Sequence, residues 1–250
     1  MTLRVASIGV LHPGEMGSAV ASVARGEIWW APEGRSEATA ARAREAGLRP
    51  APLAELLERC DILLSICPPH AALDVAGACA GYGGIYCDAN AIAPETARAV
   101  GRTVGGDVVD GGIIGGPPRE PGTRLYLSGP AAAEVAAVFA GTALEPVVLG
   151  DEVGTASALK MCYAAWTKGS AALLLAVSQA AEALGLDREL RVEWERSIPG
   201  LHERAERAAR SADAKGWRWA GEMRQIEATL RAAGLPGGFH TAAAEIFEQR

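Results

Sequence analysis

Between Val5 and Ala24 a short apolar run passes straight into a glycine-bearing loop and then into a helical Ala/Val pattern, VASIGVLHPGEMGSAVASVA. Few features restrict a fold more. A strand that turns through glycine into a helix is the first half of a β-α-β unit, and such units build parallel sheets covered by helices.

The first 150 residues repeat this alternation. Spacing predicts strands at residues 3–8, 27–30, 62–65, 85–88, 107–110, 124–128 and 146–149. It predicts helices at 15–24, 36–46, 52–58, 71–80, 94–100 and 131–140. Pro52 suits a first helical turn and Gly47 a helix stop. Past Gly150 the texture changes. One long Ala/Leu pattern without proline covers 153–184 and ends at Gly185, and helical patterns follow at 187–197, 199–214, 219–233 and 241–249. The expectation is an α/β domain over 1–152 and an all-helical domain over 153–250 that begins with the long helix. The stretch beyond that helix is short for a core of its own, which points to a homodimer through the helical half.

A net charge of −6 and a pI near 5.4 argue against nucleic acid or an anionic membrane as the main partner. The five cysteines, Cys60, Cys67, Cys79, Cys87 and Cys162, show no paired metal spacing and sit in apolar runs. They read as buried thiols in a reducing compartment, with no metal site. The longest apolar run, 170–181, is broken by Ser178 and Gln179 and is too short to span a bilayer. The N-terminus has no long apolar region before a cleavage site, so a cytoplasmic protein acting on a small molecule is expected.

The glycine loop carries the first chemistry. Glycine lets backbone N–H groups approach a pyrophosphate, and the helix N-terminus adds a favourable dipole. The usual fingerprint is G-x-G-x-x-G; here Gly14-Glu15-Met16-Gly17 gives its end, His12 stands where the first glycine would, and Gly9 makes the loop look lengthened. A nicotinamide dinucleotide is the implied ligand. After the second strand come Glu33, Gly34, Arg35 and Ser36. Arg35 and Ser36 suit a 2′-phosphate, which favours NADP over NAD, with a solvated arginine and an N-cap serine as the plainer alternative. Glu33 is the residue that would suit the ribose hydroxyls of NAD.

The third strand ends in Cys67-Pro68-Pro69, at the edge where a nicotinamide ribose would lie, and His70 there suits a solvent-facing helix start. Asn90 follows the next strand and is placed at the cofactor and substrate. The glycine-dense stretch 108–118 then reads as a loop whose free N–H groups bind a carboxylate or phosphate, or as a mobile surface loop. Lys160 lies in a helix among Ala, Leu, Met and Cys, with Tyr163 on the same side. A lysine there either snorkels or faces a cleft, and a partly buried one can act as a general acid. Trp166, Trp194, Trp217 and Trp219 suit either an aromatic pocket or helix packing.

In order, these motifs resemble the β-hydroxyacid dehydrogenase superfamily, which includes 3-hydroxyisobutyrate and 6-phosphogluconate dehydrogenases and imine reductases. The resemblance covers roughly residues 3–186. It rests on the G-x-M-G of residues 14–17, the proline loop at Cys67, a D-x-P-V-S-G-G-like stretch from Asp110 to Gly116, and a G-x-x-x-x-x-K helix from Gly154 to Lys160. The HPGEMG loop and the C-terminal segment 235–247 are similar to a poorly characterised branch. The resemblance implies a Rossmann-type doubly wound sheet followed by an all-helical domain. It also implies Lys160 as catalytic proton donor, and Gly112, Ile113, Ile114 and Gly115 at the substrate.

Two departures matter. Ile114 replaces the family's substrate-loop serine, and Lys160-Met161-Cys162-Tyr163-Ala164 replaces K-x-x-N-N, leaving Tyr163 as the candidate polar substitute. Three readings follow: an NADP-dependent reductase or dehydrogenase of a small carbonyl or hydroxy compound, an imine (C=N) reductase, and a dinucleotide-binding sensor that has lost catalysis.

Overall fold

Strand and helix alternate, with one two-residue strand at Arg49–Pro50 that the spacing does not predict, and the computed structural model describes residues 6–249. The strands are β1 (Ser7–Val10), β2 (Glu27–Trp30), β3 (Arg49–Pro50), β4 (Ile62–Ser65), β5 (Ile85–Asp88), β6 (Asp107–Ile114), β7 (Thr123–Ser128) and β8 (Leu144–Gly150). They form one sheet in the order β3-β2-β1-β4-β5-β6-β7-β8, parallel throughout except between β6 and β7. Between them run α1 (Glu15–Val23), α2 (Glu37–Glu45), α3 (Leu53–Arg59), α4 (Ala72–Ala78), α5 (Pro94–Val104) and α6 (Ala132–Ala137).

The sheet is wound on both sides. Ile8, Val10, Ile62 and Leu64 pack with Val20, Ala21, Ala43 and Val135 of α1, α2 and α6. Leu63 and Tyr86 pack the other way, with Leu56, Ala76, Ala97 and Val100 of α3, α4 and α5. Alternate residues of one strand thus feed two cores, which is why β4 reads as an unbroken apolar run.

Residues 3–5 of the expected first strand lie outside the described residues, and β1 reaches two residues beyond its expected end. Gly9 is therefore not a loop residue. It sits in β1 opposite Trp29 and Leu63, and a Cβ there would stand 2.5 Å from the Leu63 side chain. The loop is short, not lengthened.

After β8 come α7 (Thr155–Ala183), α8 (Asp187–Ser197), α9 (Leu201–Ala232) and α10 (Gly238–Glu248). The chain divides into two compact units at Lys160/Met161, inside α7 and not ahead of it. The reason is that the first turns of α7 are tied to the sheet, as described below.

In the second unit α9 is one helix where the spacing predicts two. Gly216, in the gap between the two expected helices, is buried on the same stripe as Ala205, Ala212, Ala220, Met223 and Ile226. Packing along that stripe outweighs the roughly 1 kcal/mol that glycine costs inside a helix. Trp219 meets Phe247 edge to face at 5.2 Å, so it is a packing residue, whereas Trp166 and Trp217 are exposed. Lys168 and Glu222 form a half-buried ion pair between α7 and α9. Among the described residues no helix is long and apolar enough to cross a membrane.

Candidate functional site

Strand order reverses on either side of β1, which lies between β2 and β4. At such a switch point the loops leaving the carboxyl ends of the strands open a crevice. The loops after β1, β2 and β4 leave the sheet on either side of that point.

The first follows β1. The Gly14 N–H donates to the His12 carbonyl at 2.8 Å, closing a tight turn. A Cβ on Gly17 would stand 2.2 Å from that carbonyl oxygen, so glycine is what lets α1 begin beneath the loop. Gly14 caps α1 with extended backbone and no side chain, and a Cβ on it would meet nothing within 4 Å. The first-turn N–H groups, Glu15, Met16 and Gly17 among them, have no acceptor within the helix. Met16 itself packs on the core. His12 has a buried Nδ1 without a partner among the described residues, and burial followed by the charge of Arg35 pulls its pKa down to about 4. It is neutral at physiological pH.

Beyond β2 the structure separates residues that the sequence groups. Glu33 is turned onto α3, where its Oε1 accepts from the Leu53 N–H at 3.1 Å. Ser36 is the N-cap of α2, accepting from the Thr39 N–H at 3.3 Å. The charge of Arg35 bears on His12, and Cys67 and Glu33 bear on Arg35 in turn, while burial lowers the Arg35 pKa.

The second loop follows β4. The Cys67 N–H donates to Asn90 Oδ1. Asn90, 2% exposed, also donates through Nδ2 to Ser65 Oγ at 3.1 Å and to Asp88 Oδ2 at 2.8 Å, and its backbone N–H reaches Asp88 Oδ1 at 3.0 Å. Its amide is spent on binding the loops after β4 and β5 together, not offered outward. Burial and then Asp88 push the Cys67 thiol up to about 11, so it stays protonated. Pro68 is exposed and Pro69 opens a short 3-10 turn in which His70 faces solvent. Cys162 is also exposed, contrary to the buried-thiol expectation, because α7 turns it outward.

The third region overturns an expectation. Gly111, Gly112, Ile113 and Ile114 are not a loop with free N–H groups; they are the end of β6, in register with Leu127, Tyr126, Leu125 and Arg124 of β7. The glycines serve close approach. A Cβ on Gly112 would stand 2.8 Å from the Ala156 carbonyl oxygen and 3.1 Å from Lys160 Cβ. Ile113 and Ile114 are buried, and only Gly115, with φ +133°, leaves the strand. The apolar pair after the glycines was the available signal, since glycine inside a strand marks a close backbone approach. Gly112→Ala is expected to force α7 off β6, costing about 1–3 kcal/mol in urea unfolding.

That contact sets Lys160. Its Nζ donates to the Ile113 carbonyl at 2.7 Å, and burial pulls its pKa down to about 8. The turn of α7 before it is held by Asp110, 1% exposed. Asp110 Oδ2 accepts from the N–H groups of Gly154 and Ser157 at 3.0 and 2.8 Å and from Ser128 Oγ at 3.2 Å; Oδ1 accepts from Ser157 Oγ at 2.6 Å. Ser128 Oγ in turn accepts from the Ala156 N–H at 3.0 Å. Tyr163, one turn further along α7, is exposed.

Sequence reasoning missed what Asp88, Ser128 and Ser157 do. Register aligns Ser65, Asp88, Asp110 and Ser128 in one buried row across β4, β5, β6 and β7. Burial pushes Asp88 up to about 7 and raises Asp110 against the pull of its donors. The signal was a polar residue closing each run, LLS, YCD, VVD and YLS, where apolar residues alone would have done.

Comparison with known proteins places this arrangement. Residues 181–249 match a domain of unknown function, DUF1932. The chain is 34% identical over 189 residues to an uncharacterised 28.5 kDa protein encoded in the 7S RNA 5′ region of Methanothermus fervidus, covering 73% of this chain and 74% of that protein. It is 30% identical to a solved conserved protein of unknown function described as structurally similar to 3-hydroxyacid dehydrogenases, with a TM-score of 0.70 over 97% of this chain and 96% of that one. A reductive aminase from Aspergillus terreus, solved with NADPH and ethyl levulinate, shares the fold at 18% identity and a TM-score of 0.61, over 98% and 93% of the chains.

Proposed function

The chain belongs to the β-hydroxyacid dehydrogenase superfamily, and from that membership we propose a nicotinamide-dependent oxidoreductase that prefers NADP(H) and moves a proton through Lys160. One observation carries the reading: the half-buried Lys160 ammonium is aimed at a fixed carbonyl and lowered to about 8, where it both gives and takes a proton near neutral pH.

The residues present fit the cofactor. Open space over Gly14 and the uncapped first turn of α1 suit a pyrophosphate, with Gly14, Glu15, Met16 and Gly17 offering backbone N–H groups and His12 shaping the turn. Arg35 would hold the 2′-phosphate, and Glu33, occupied at α3, does not oppose it. Cys67, Pro68 and Pro69 would border the nicotinamide ribose, with Asn90 holding that loop in place. When bound, the nicotinamide supplies or accepts hydride. Lys160 in its ammonium form would give a proton to the substrate oxygen during reduction, and in its neutral form would take one back during oxidation. The Ile113 carbonyl fixes the Nζ throughout.

A second reading, reduction of C=N, draws on Ile114. The side chain at the family's serine position is apolar and buried, so no hydroxyl clamps a carboxylate, and imine reduction needs a proton donor but no such clamp. NADPH oxidation across aldehydes, keto acids and cyclic imines separates the readings by which class turns over. NADPH binding without turnover on any class would instead favour the sensor, and absence of NADPH binding would overturn all three.

Arg35→Ala is expected to weaken NADPH binding by about tenfold or more, as loss of a charged hydrogen bond does, while changing NADH binding little. Titration of nucleotide fluorescence checks it. Equal losses for both would remove Arg35 from the 2′-phosphate. Self-association through the helical half is part of the proposal: Trp166, Leu173, Val177 and Leu184 leave α7 with an exposed apolar side, and elution at dimer mass is expected.

A further inference from the structure

The catalytic reading of Lys160 leaves unexplained why a carboxylate is buried behind it with four donors. Asp110 is buried within the sheet, on β6 between β5 and β7, and its side-chain hydrogen bonds go to Ser128, Gly154 and Ser157. Three of its four donors come from residues 154 and 157, which bracket the start of α7. The fourth, Ser128 Oγ, receives the Ala156 N–H, so Asp110 and Ser128 together satisfy three consecutive-turn N–H groups that a helix start leaves without acceptors. A helix N-terminus carries partial positive charge, and a buried carboxylate there is worth more than a neutral cap.

Lys160 stands three residues beyond Ser157 on the same helix, so the turn that Asp110 grips is the turn that carries the lysine. Gly112 permits the approach from below, with the Ala156 carbonyl and Lys160 Cβ filling the space a side chain would need. The Ile113 carbonyl, three residues along β6 from Asp110, receives the ammonium. One strand thus holds the helix at one point and the lysine's charged end at another.

We propose that Asp110 is a positioning residue: by anchoring the first turn of α7 to β6 it holds the Lys160 ammonium on the Ile113 carbonyl in its half-buried place. This rests on the reading of Lys160 given above. It assigns no contact with substrate or cofactor to Asp110. The charged and titratable groups around the anchor are Asp88, in register on β5, Cys87 beside it, Lys160 on α7, and Arg98 of α5, whose guanidinium lies against Gly154.

The test needs no substrate. The chain has three lysines, Lys160, Lys168 and Lys215, so competitive acetylation with acetic anhydride, read by peptide mass spectrometry across pH, reports the titration of Lys160 by itself. The variants are Asp110→Ala, Asp110→Asn and Ser157→Ala. Asparagine keeps an acceptor toward Gly154 and Ser157 and turns its amide to the Ser157 hydroxyl, so it is the conservative rescue. In Asp110→Ala the freed turn admits water to Lys160, and its titration is expected to rise by about one pH unit or more toward the ordinary lysine value. Ser157→Ala is expected to shift it the same way by less, and Asp110→Asn to stay near wild type.

A merely structural role would lower the melting temperature without moving that titration. If Asp110→Ala does not fold, Ser157→Ala decides. Wild-type Lys160 titration in every folded variant overturns the positioning role alone. Wild-type Lys160 titrating at its ordinary value overturns the reading of Lys160 itself, and with it this inference.

Discussion

Lys160→Ala is expected to lower the turnover number by about 10²–10⁴-fold, the range of a single general acid, while NADPH binding changes by less than about twofold. The split follows from placement. Lys160 touches the end of β6, whereas the proposed cofactor contacts leave β1, β2 and β4. The pH profile adds a sign. Burial puts Lys160 at about 8, so reduction, which uses the ammonium, falls as pH rises through 8, and oxidation, which uses the free amine, rises across the same interval. Stopped-flow nicotinamide absorbance on the substrate class found in the screen measures both. Full turnover in the alanine variant, or profiles without that limb, would take Lys160 out of the mechanism.

Gly17→Ala is expected to abolish measurable NADPH binding and to destabilise the first unit by about 1–3 kcal/mol or more. The new methyl would stand 2.2 Å from the His12 carbonyl oxygen, a backbone atom fixed by the turn to Gly14. Neither partner yields cheaply. Relief comes only by moving α1 away from the loop, which withdraws the N–H groups proposed for the pyrophosphate. Gly14→Ala is the contrast, because its Cβ meets nothing within 4 Å; it should fold normally and affect only ligand entry. Urea unfolding and nucleotide fluorescence distinguish the two glycines, and equal behaviour would contradict the packing account.

Much of this molecule is written locally. The strand-glycine-helix start, the alternation to β8 apart from the two-residue β3, the long α7 and the Gly14–Gly17 loop follow from periodicity and turn chemistry, which act between neighbours in the chain. The partial burial of Lys160 was legible too, since a lysine in an Ala/Leu helix either snorkels or faces inward. What local pattern misjudged is instructive. Gly111 and Gly112 suggest a loop because glycine is permissive, yet here they are strand residues whose missing side chains admit a helix. The two helices expected at 199–214 and 219–233 are instead one, α9, with Gly216 packed inside it.

The glycine loop, the order of elements and the lysine were determined by sequence alone, because each depends on residues a few positions apart. The tertiary structure decided which partners they meet. Asp110 and Ser157 are 47 residues apart and Cys67 and Asn90 are 23 apart, and no spacing rule joins them. Burial then chose the charge states, pulling Lys160 down to about 8 and His12 to about 4 and pushing Asp88 up to about 7. Those shifts arise from water excluded by packing, a property of the assembled sheet and helices and of no segment taken by itself.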